Sequence, residues 1–348
     1  MPVKNYESIS TTNDITTTTT LLHETIPLTG TIVSGTYGTF RSERNIKNYT
    51  HGQFQSVYDY PFLSSSANHI FDITLGYDES SPFSGSTSVQ NSKKINMYNQ
   101  FAQVLLGYTS STGDGIRKFE NDLTLDGTGA MKEVFFVNFS RLITKDQIKK
   151  GSFSIDFGTG SVYTAPFAGT SFILQDALAT ENSNTTTTQG GDYGLLFTNS
   201  SGTGVAVGNV FYQAGIAVVT ASIFGSVINM DAAGEDFEAL LTGSAISASC
   251  DALRHRINNI SFNNTTEINS KIYFCRAPFN RFNYSANPTY VSGSKIRVKD
   301  VATDAPVAYI TTVGLYSATG ELLATAKLSE PLRKDPTNEL TLRVRLDY

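Results

Sequence analysis

Four carboxylates crowd into a short stretch of the chain: Asp231, Glu235, Asp236 and Glu238. Such a cluster could ligate a metal or divide acid and base roles. The same spacing also serves helix starts and solvated faces, and that is the expectation here. Asp78 and Glu79 form a second acidic pair and are read the same way. Cys250 and His255 stand near each other, but zinc needs a further pair at ligand spacing, so no metal is expected there. His23, His51 and His69 are scattered. No GxSxG elbow, HExxH pair or GxxxxGK[ST] phosphate loop occurs. The sequence therefore nominates no catalytic, cofactor-binding or metal-ligating residue. The chain is expected not to be an enzyme and to carry no cofactor.

Two basic stretches, Arg254 to Asn259 and Arg297 to Asp300, would attract nucleic acid only if they converged in space. Solvated strand faces are the expectation, and nucleic acid is not expected as a partner. Net charge points the same way: 26 Lys and Arg against 31 Asp and Glu give -5. Triplets such as Asn48-Tyr49-Thr50 and Asn138-Phe139-Ser140 reflect an Asn- and Thr-rich composition. Cys250 and Cys275 could pair or remain two thiols, with thiols favoured.

The elements that must position any site are mainly strands. Charged residues are 16% and aromatics 11%, with Ser, Thr, Asn and Gly in place of Lys and Glu. That mixture suits strands and polar turns, and it excludes global disorder. No apolar run is long enough for a membrane helix, and the N-terminus has no apolar core of a secretory signal. The length favours two domains.

Residues 1–20 form a polar arm with five consecutive threonines, Thr16 to Thr20. It is expected to be either flexible or extended against a neighbouring subunit. Residues 21–165 are expected to form a β-rich domain. His69 to Tyr77 alternates, with Phe71, Ile73, Leu75 and Tyr77 on one face. Ile95, Tyr98, Ala102 and Leu105 recur at helical spacing, which predicts an amphipathic helix near 92–106. Glu133 to Leu142 reads as a strand, and Thr144 to Gly151 as a short capped surface helix.

Residues 166–348 are expected to form a β-sandwich-like domain. Glu181 to Gly191 reads as a mobile polar loop. Two strands are expected to meet near Ala214 and Gly215, and a hairpin to turn at Ser317 to Gly320. The segments AGEDFEALLTG and SAISASCDALRHRI are open between short helices and a covering segment. Ile310, Val313, Leu315, Leu322, Leu323, Leu328, Leu342, Val344 and Leu346 are expected to supply much of the C-terminal core. Leu342, Val344 and Leu346 should face one way, and Arg343 and Arg345 the other. The fold class is mainly β: sandwich or small-barrel domains with a few short helices.

Four groups of segments carry a resemblance. They are QSVYDYPFLSSSANHIFDITLGY with KKINMYNQFAQVLLGY; VNFSRLITKDQIKKGSF; VGNVFYQAGIAVVT; and FNYSANPTYV with YITTVGLYSATGELLATAKLSEPL and a closing LRVRLDY. Together they resemble uncharacterised virion structural proteins of contractile-tailed bacteriophages of cyanobacterial and marine type. The resemblance implies a non-enzymatic particle component and brings no catalytic residues. The expectation is a tail, baseplate or neck or collar protein that mediates subunit assembly. Its partners would be copies of itself and other virion proteins, and its place the virion, assembled in the host cytoplasm. A head decoration protein is the alternative within that class. A receptor- or glycan-binding tail module is the alternative outside it, marked by exposed aromatics gathered on one sheet.

Overall fold

The computed structural model describes residues 6–29, 40–108, 115–169, 171–179, 185–199, 201–284, 291–292, 295–296, 301, 303 and 305–348. The chain is mainly β, as its composition implies. It divides into two units, one of residues 22–266 and one of residues 1–21 with 267–348. The first strand, β1 (Ile15–Thr29), carries the threonine run.

In the larger unit come β2 (Ile46–Asn48), β3 (Gln55–Tyr58), β4 (His69–Tyr77) and helix α1 (Asn91–Leu105). They are followed by β5 (Glu133–Phe139), α2 (Arg141–Thr144), β6 (Gln147–Ile148), β7 (Ser154–Gly158) and β8 (Ser171–Gln175). Then come β9 (Thr185–Thr188), β10 (Gly191–Leu196), β11 (Gly208–Phe211) and β12 (Ile216–Thr220). Helices α3 (Phe237–Gly243) and α4 (Ile246–Arg256) lead into the long strand β13 (Ile257–Ala277).

Eight of these strands form one antiparallel sheet in the order β2-β3-β4-β5-β12-β11-β10-β9. Its central strands read as continuous apolar runs because both faces are covered. On one face Phe71, Ile73, Leu75, Phe135 and Phe139 meet Phe153, which immediately precedes β7, Ile155 of β7 and Phe262 of β13. Phe139 lies 5.8 Å from Phe153 and 5.2 Å from Phe262, ring centre to ring centre, both edge-on. This is sandwich packing, with α4 contributing Cys250 and Leu253 to the same core. On the opposite face, Phe136, Phe211 and Val218 pack under α1, which presents Tyr98, Ala102 and Leu105. The helix and its apolar stripe match the sequence expectation, as does the strand pair at β11 and β12, and the two segments the sequence leaves open are the helices α3 and α4.

Several expectations are corrected. The boundary expected at 165/166 separates nothing: β5 pairs with β12, and β7 with β8, across it. Polar loops join strands of one sheet as readily as they join domains. Thr144 to Gly151 is not a helix. The chain turns at Lys145, with φ 53, and Gln147 and Ile148 pair with Thr265 and Asn264 of β13. An eight-residue helix is marginal alone, and burying Ile148 against a strand edge outweighs it. The polar stretch 181–191 contains a strand, since Thr185 to Thr188 pair with Gly191 to Gly194. Residues 181–184 of that stretch lie outside the described residues.

In the smaller unit, the second half of β13 is flanked by β1 and by β18 (Leu340–Asp347). Two short strands, β14 (Val291–Ser292) and β15 (Lys295–Ile296), make one hairpin. A second, longer hairpin joins β16 (Ala308–Tyr316) to β17 (Leu322–Lys334). The turn between them falls at Ser317 to Gly320, as expected. Leu342 and Leu346 are half-buried and Val344 is buried, while Arg343 and Arg345 are exposed. The strand's face is therefore as expected. Leu322 and Leu323 are not core: they are 53% and 67% exposed.

The arm is also corrected. Phe274 N donates to Asp14 O at 2.9 Å, Asp14 pairs with Arg276 at 2.8 Å, and Thr19 Oγ1 donates to Asn269 Oδ1 at 2.9 Å. The threonines are β-branched and extended, and β13 offers an edge. The arm from Ile15 onward is a strand of the chain's own sheet, not a flexible or borrowed segment.

Candidate functional site

Of the acidic groups that the sequence singles out, Asp231, Asp236 and Asp78 are architectural. Asp231 Oδ1 accepts from the amides of Ala233 and Glu235, closing a turn. Asp236 caps α3 by accepting from Ala239 N at 2.8 Å. Asp78 pairs with Lys118 at 3.0 Å. Burial pushes its carboxyl up, but hydrogen bonds from Ser80 and Lys118 outweigh that and hold it below the usual range.

The cysteine and histidine are apart in role. Cys250 is buried and donates to Ile73 O, and burial pushes its thiol up. Cys250 and Cys275 are both free thiols. His255 stacks on Tyr163 at 4.5 Å in a cleft of about 350 Å³ with Arg41, Ser42 and Thr164. Burial, then the Arg254 charge, lower its pKa to about 4, so the imidazole is neutral. Among the described residues no hydrogen bond joins it to Ser42 or Thr164. His69 bonds Asp72 at 2.8 Å on β4, and His51 stacks on Tyr49. His23 has its side chain outside the described set.

The basic stretch at 254–259 is not a solvated face. Arg254 is buried and donates to Phe40 O, Glu43 and Asp251. Arg256 is buried and donates to the carbonyls of Gly158, Gly160 and Asn229. These side chains tie loops to α4. Arg297 to Asp300 lie outside the described residues.

Two features remain that could act outward. The first is the β16–β17 hairpin. It belongs to no larger sheet, so its outer edges are unpaired among the described residues. The hairpin exposes Tyr309, Tyr316, Leu322 and Leu323, while Ile310, Val313 and Leu328 are half-buried.

The second is a loop from Phe119 to Met131 on the α1 side of the large sheet. Met131 N donates to Phe119 O at 2.7 Å and Asn121 N to Gly129 O at 3.0 Å, closing its neck. Tyr98 on α1 pins both ends: its hydroxyl accepts from Phe119 N and donates to Met131 O, each at 3.0 Å. Inside the loop, carboxylate oxygens of Glu120, Asp122 and Asp126 lie within 4.8 Å of one another. Glu120 is 3% exposed. Its Oε1 accepts from Gly127 N, and its Oε2 is buried with no hydrogen-bond partner. Burial raises the pKa of Glu120, against the Gly127 hydrogen bond, and the charges of Asp122 and Asp126 add to the rise. Asp126 is exposed, and hydrogen bonds led by the Thr128 amide lower its pKa. Among the described residues none of the three has a cationic partner within 4 Å.

These three are not among the carboxylates the sequence singles out. Asp122, Asp126 and Gly127 fit the D-x-[DN]-x-[DN]-G opening of oxygen-ligand cation loops, with Thr124 standing where that pattern has Asp or Asn. Comparison of the chain with family models, curated proteins and solved structures returns no match.

Proposed function

We propose that this protein is a non-enzymatic structural component of a tailed-phage virion, placed in the tail, baseplate or neck. The β16–β17 hairpin carries the reading on the structural side, alongside the sequence resemblance. A two-stranded ribbon is marginally stable alone, and unpaired edges are templates for another chain. Its exposed leucines and tyrosines suit burial against a neighbour, whether a second copy or an unlike particle protein.

The test is to purify particles of the virus that encodes the chain and locate the protein by electron cryomicroscopy. A fixed number of copies in the tail or neck, with the hairpin covered by a neighbour, is the expected result. A protein left behind in the soluble fraction as particles sediment would overturn the reading. A hairpin exposed at the tail tip would favour the glycan-contacting module.

A further inference from the structure

We infer that the Phe119–Met131 loop is a calcium-binding site, with Glu120, Asp122 and Asp126 as its carboxylate ligands. Two oxygens that share one Ca²⁺ at about 2.4 Å each can stand no more than about 4.8 Å apart. The three carboxylates meet that limit together. A cluster of acids on a surface loop does not by itself make a site. The deciding observation is Glu120 Oε2, a buried oxygen of a side chain that is 3% exposed, with no hydrogen-bond partner among the described residues. A buried carboxylate oxygen without a donor is costly, and a positive charge beside two other carboxylates would remove that cost. No Lys, Arg or His supplies that charge within 4 Å among the described residues.

The chain chemistry selects the ion. All ligand groups are hard oxygens, with no thiol or imidazole among them, which suits Ca²⁺ or Mg²⁺ over zinc or copper. Asp122, Thr124 and Asp126 alternate as in calcium loops, followed by Gly127 with φ 94 at the sharp turn. Glu120 enters from the neck side, where an EF-hand would use a glutamate further along, and no helix pair flanks the loop. The oxygens belong to a short irregular loop. Ca²⁺ tolerates that irregular arrangement, whereas Mg²⁺ demands a near-ideal octahedron.

The site has a structural consequence. The loop covers the α1 side of the large sheet through Phe119, which stacks edge-on against Phe136 at 5.5 Å. Asn209 of β11 also donates to Glu120 O at 3.1 Å. A bound ion would fasten this cover to the sheet.

The experiment uses the full chain and Tb³⁺ as a calcium probe. The chain has no Trp, and Tyr193 lies with its hydroxyl 3.5 Å from Asp122 O, so it is placed to sensitise a bound ion. Tyrosine-sensitised Tb³⁺ emission should appear, and Ca²⁺ should displace it at concentrations at which Mg²⁺ does not. Asp126→Asn and Asp122→Asn keep the acceptors used by Thr128 N and Thr124 N, so both should fold. Loss of a first ligand should weaken the apparent affinity by at least about tenfold, since outer partners alone cost about 10–100-fold. Ca²⁺ should also raise the melting temperature of the wild type over EDTA, and of these variants much less. Absent emission, unchanged affinity in both variants, or equal competition by Mg²⁺ would each overturn the assignment.

Discussion

Gly76 on β4 touches Tyr98 on α1 so closely that a Cβ at Gly76 would stand 2.7 Å from the Tyr98 backbone nitrogen. The missing side chain lets the helix settle on the sheet. It also sets where the Tyr98 hydroxyl reaches Phe119 and Met131. Gly76→Ala forces the backbones apart. It should destabilise the larger unit by about 1–3 kcal/mol, the usual cost of overpacking. Urea unfolding measures this directly, and an unchanged midpoint would contradict the close packing.

Tyr98→Phe keeps the ring but removes the hydroxyl that serves Phe119 N and Met131 O. Two buried backbone groups then lose their partner, at about 1–3 kcal/mol each if water cannot reach them. The loop neck should open. Limited proteolysis should cut between residues 119 and 131 faster in the variant than in the wild type.

In the smaller unit, Val344 is 7% exposed and pairs with Tyr273, whereas Leu323 is 67% exposed. Val344→Asp buries a charge with no partner and should cost several kcal/mol. Leu323→Asp should stay within about 0.5 kcal/mol, as for other surface changes. If the hairpin meets a neighbour in the particle, Leu323→Asp should still reduce incorporation. Equal melting temperatures for the two variants would show that the face assignment of β18 is wrong.

Deleting residues 1–20 removes the first six residues of β1, the Asp14–Arg276 pair and the Thr19–Asn269 hydrogen bond. The edge of β13 is then bare. The melting temperature should fall, and the Phe274 amide, which donates to Asp14 O, should lose protection in hydrogen exchange. An unchanged melting temperature would return these residues to the role of a dispensable arm.

Stability should depend on pH through two groups of opposite sign. Burial raises the pKa of Asp176 to about 6, despite hydrogen bonds from Gly151, Tyr212 and Phe153. The native state therefore binds this proton more tightly than the unfolded state. The contribution of Asp176 falls as pH rises from about 4 to about 6. His255 has its pKa lowered to about 4 from 6.5. Its contribution is full above about 6.5 and is lost as pH falls toward 4. The stability difference between wild type and His255→Gln should therefore shrink from pH 7 to pH 4.5, and a flat difference would contradict a neutral, half-buried imidazole.

Periodicity alone determined the central strand β4 and the main helix α1. Phe71, Ile73, Leu75 and Tyr77 alternate, and Ile95, Tyr98, Ala102 and Leu105 recur every three or four residues; each pattern has one solution that buries its apolar face. The alternation of Val344 with its arginines was legible for the same reason. What the tertiary structure decided was pairing, because a strand edge does not record its partner. The threonine arm reads as polar and loose until β13 supplies an edge. Gln147 and Ile148 read as helical until the same strand draws them out. Arg254 and Arg256 read as surface charges until loop carbonyls surround them. The candidate cation loop shows the division most clearly. Asp122, Thr124 and Asp126 carry a readable spacing. Glu120 becomes an ion ligand only because the neck closed by Tyr98 buries one of its oxygens without a donor, and burial is a property of the packed chain.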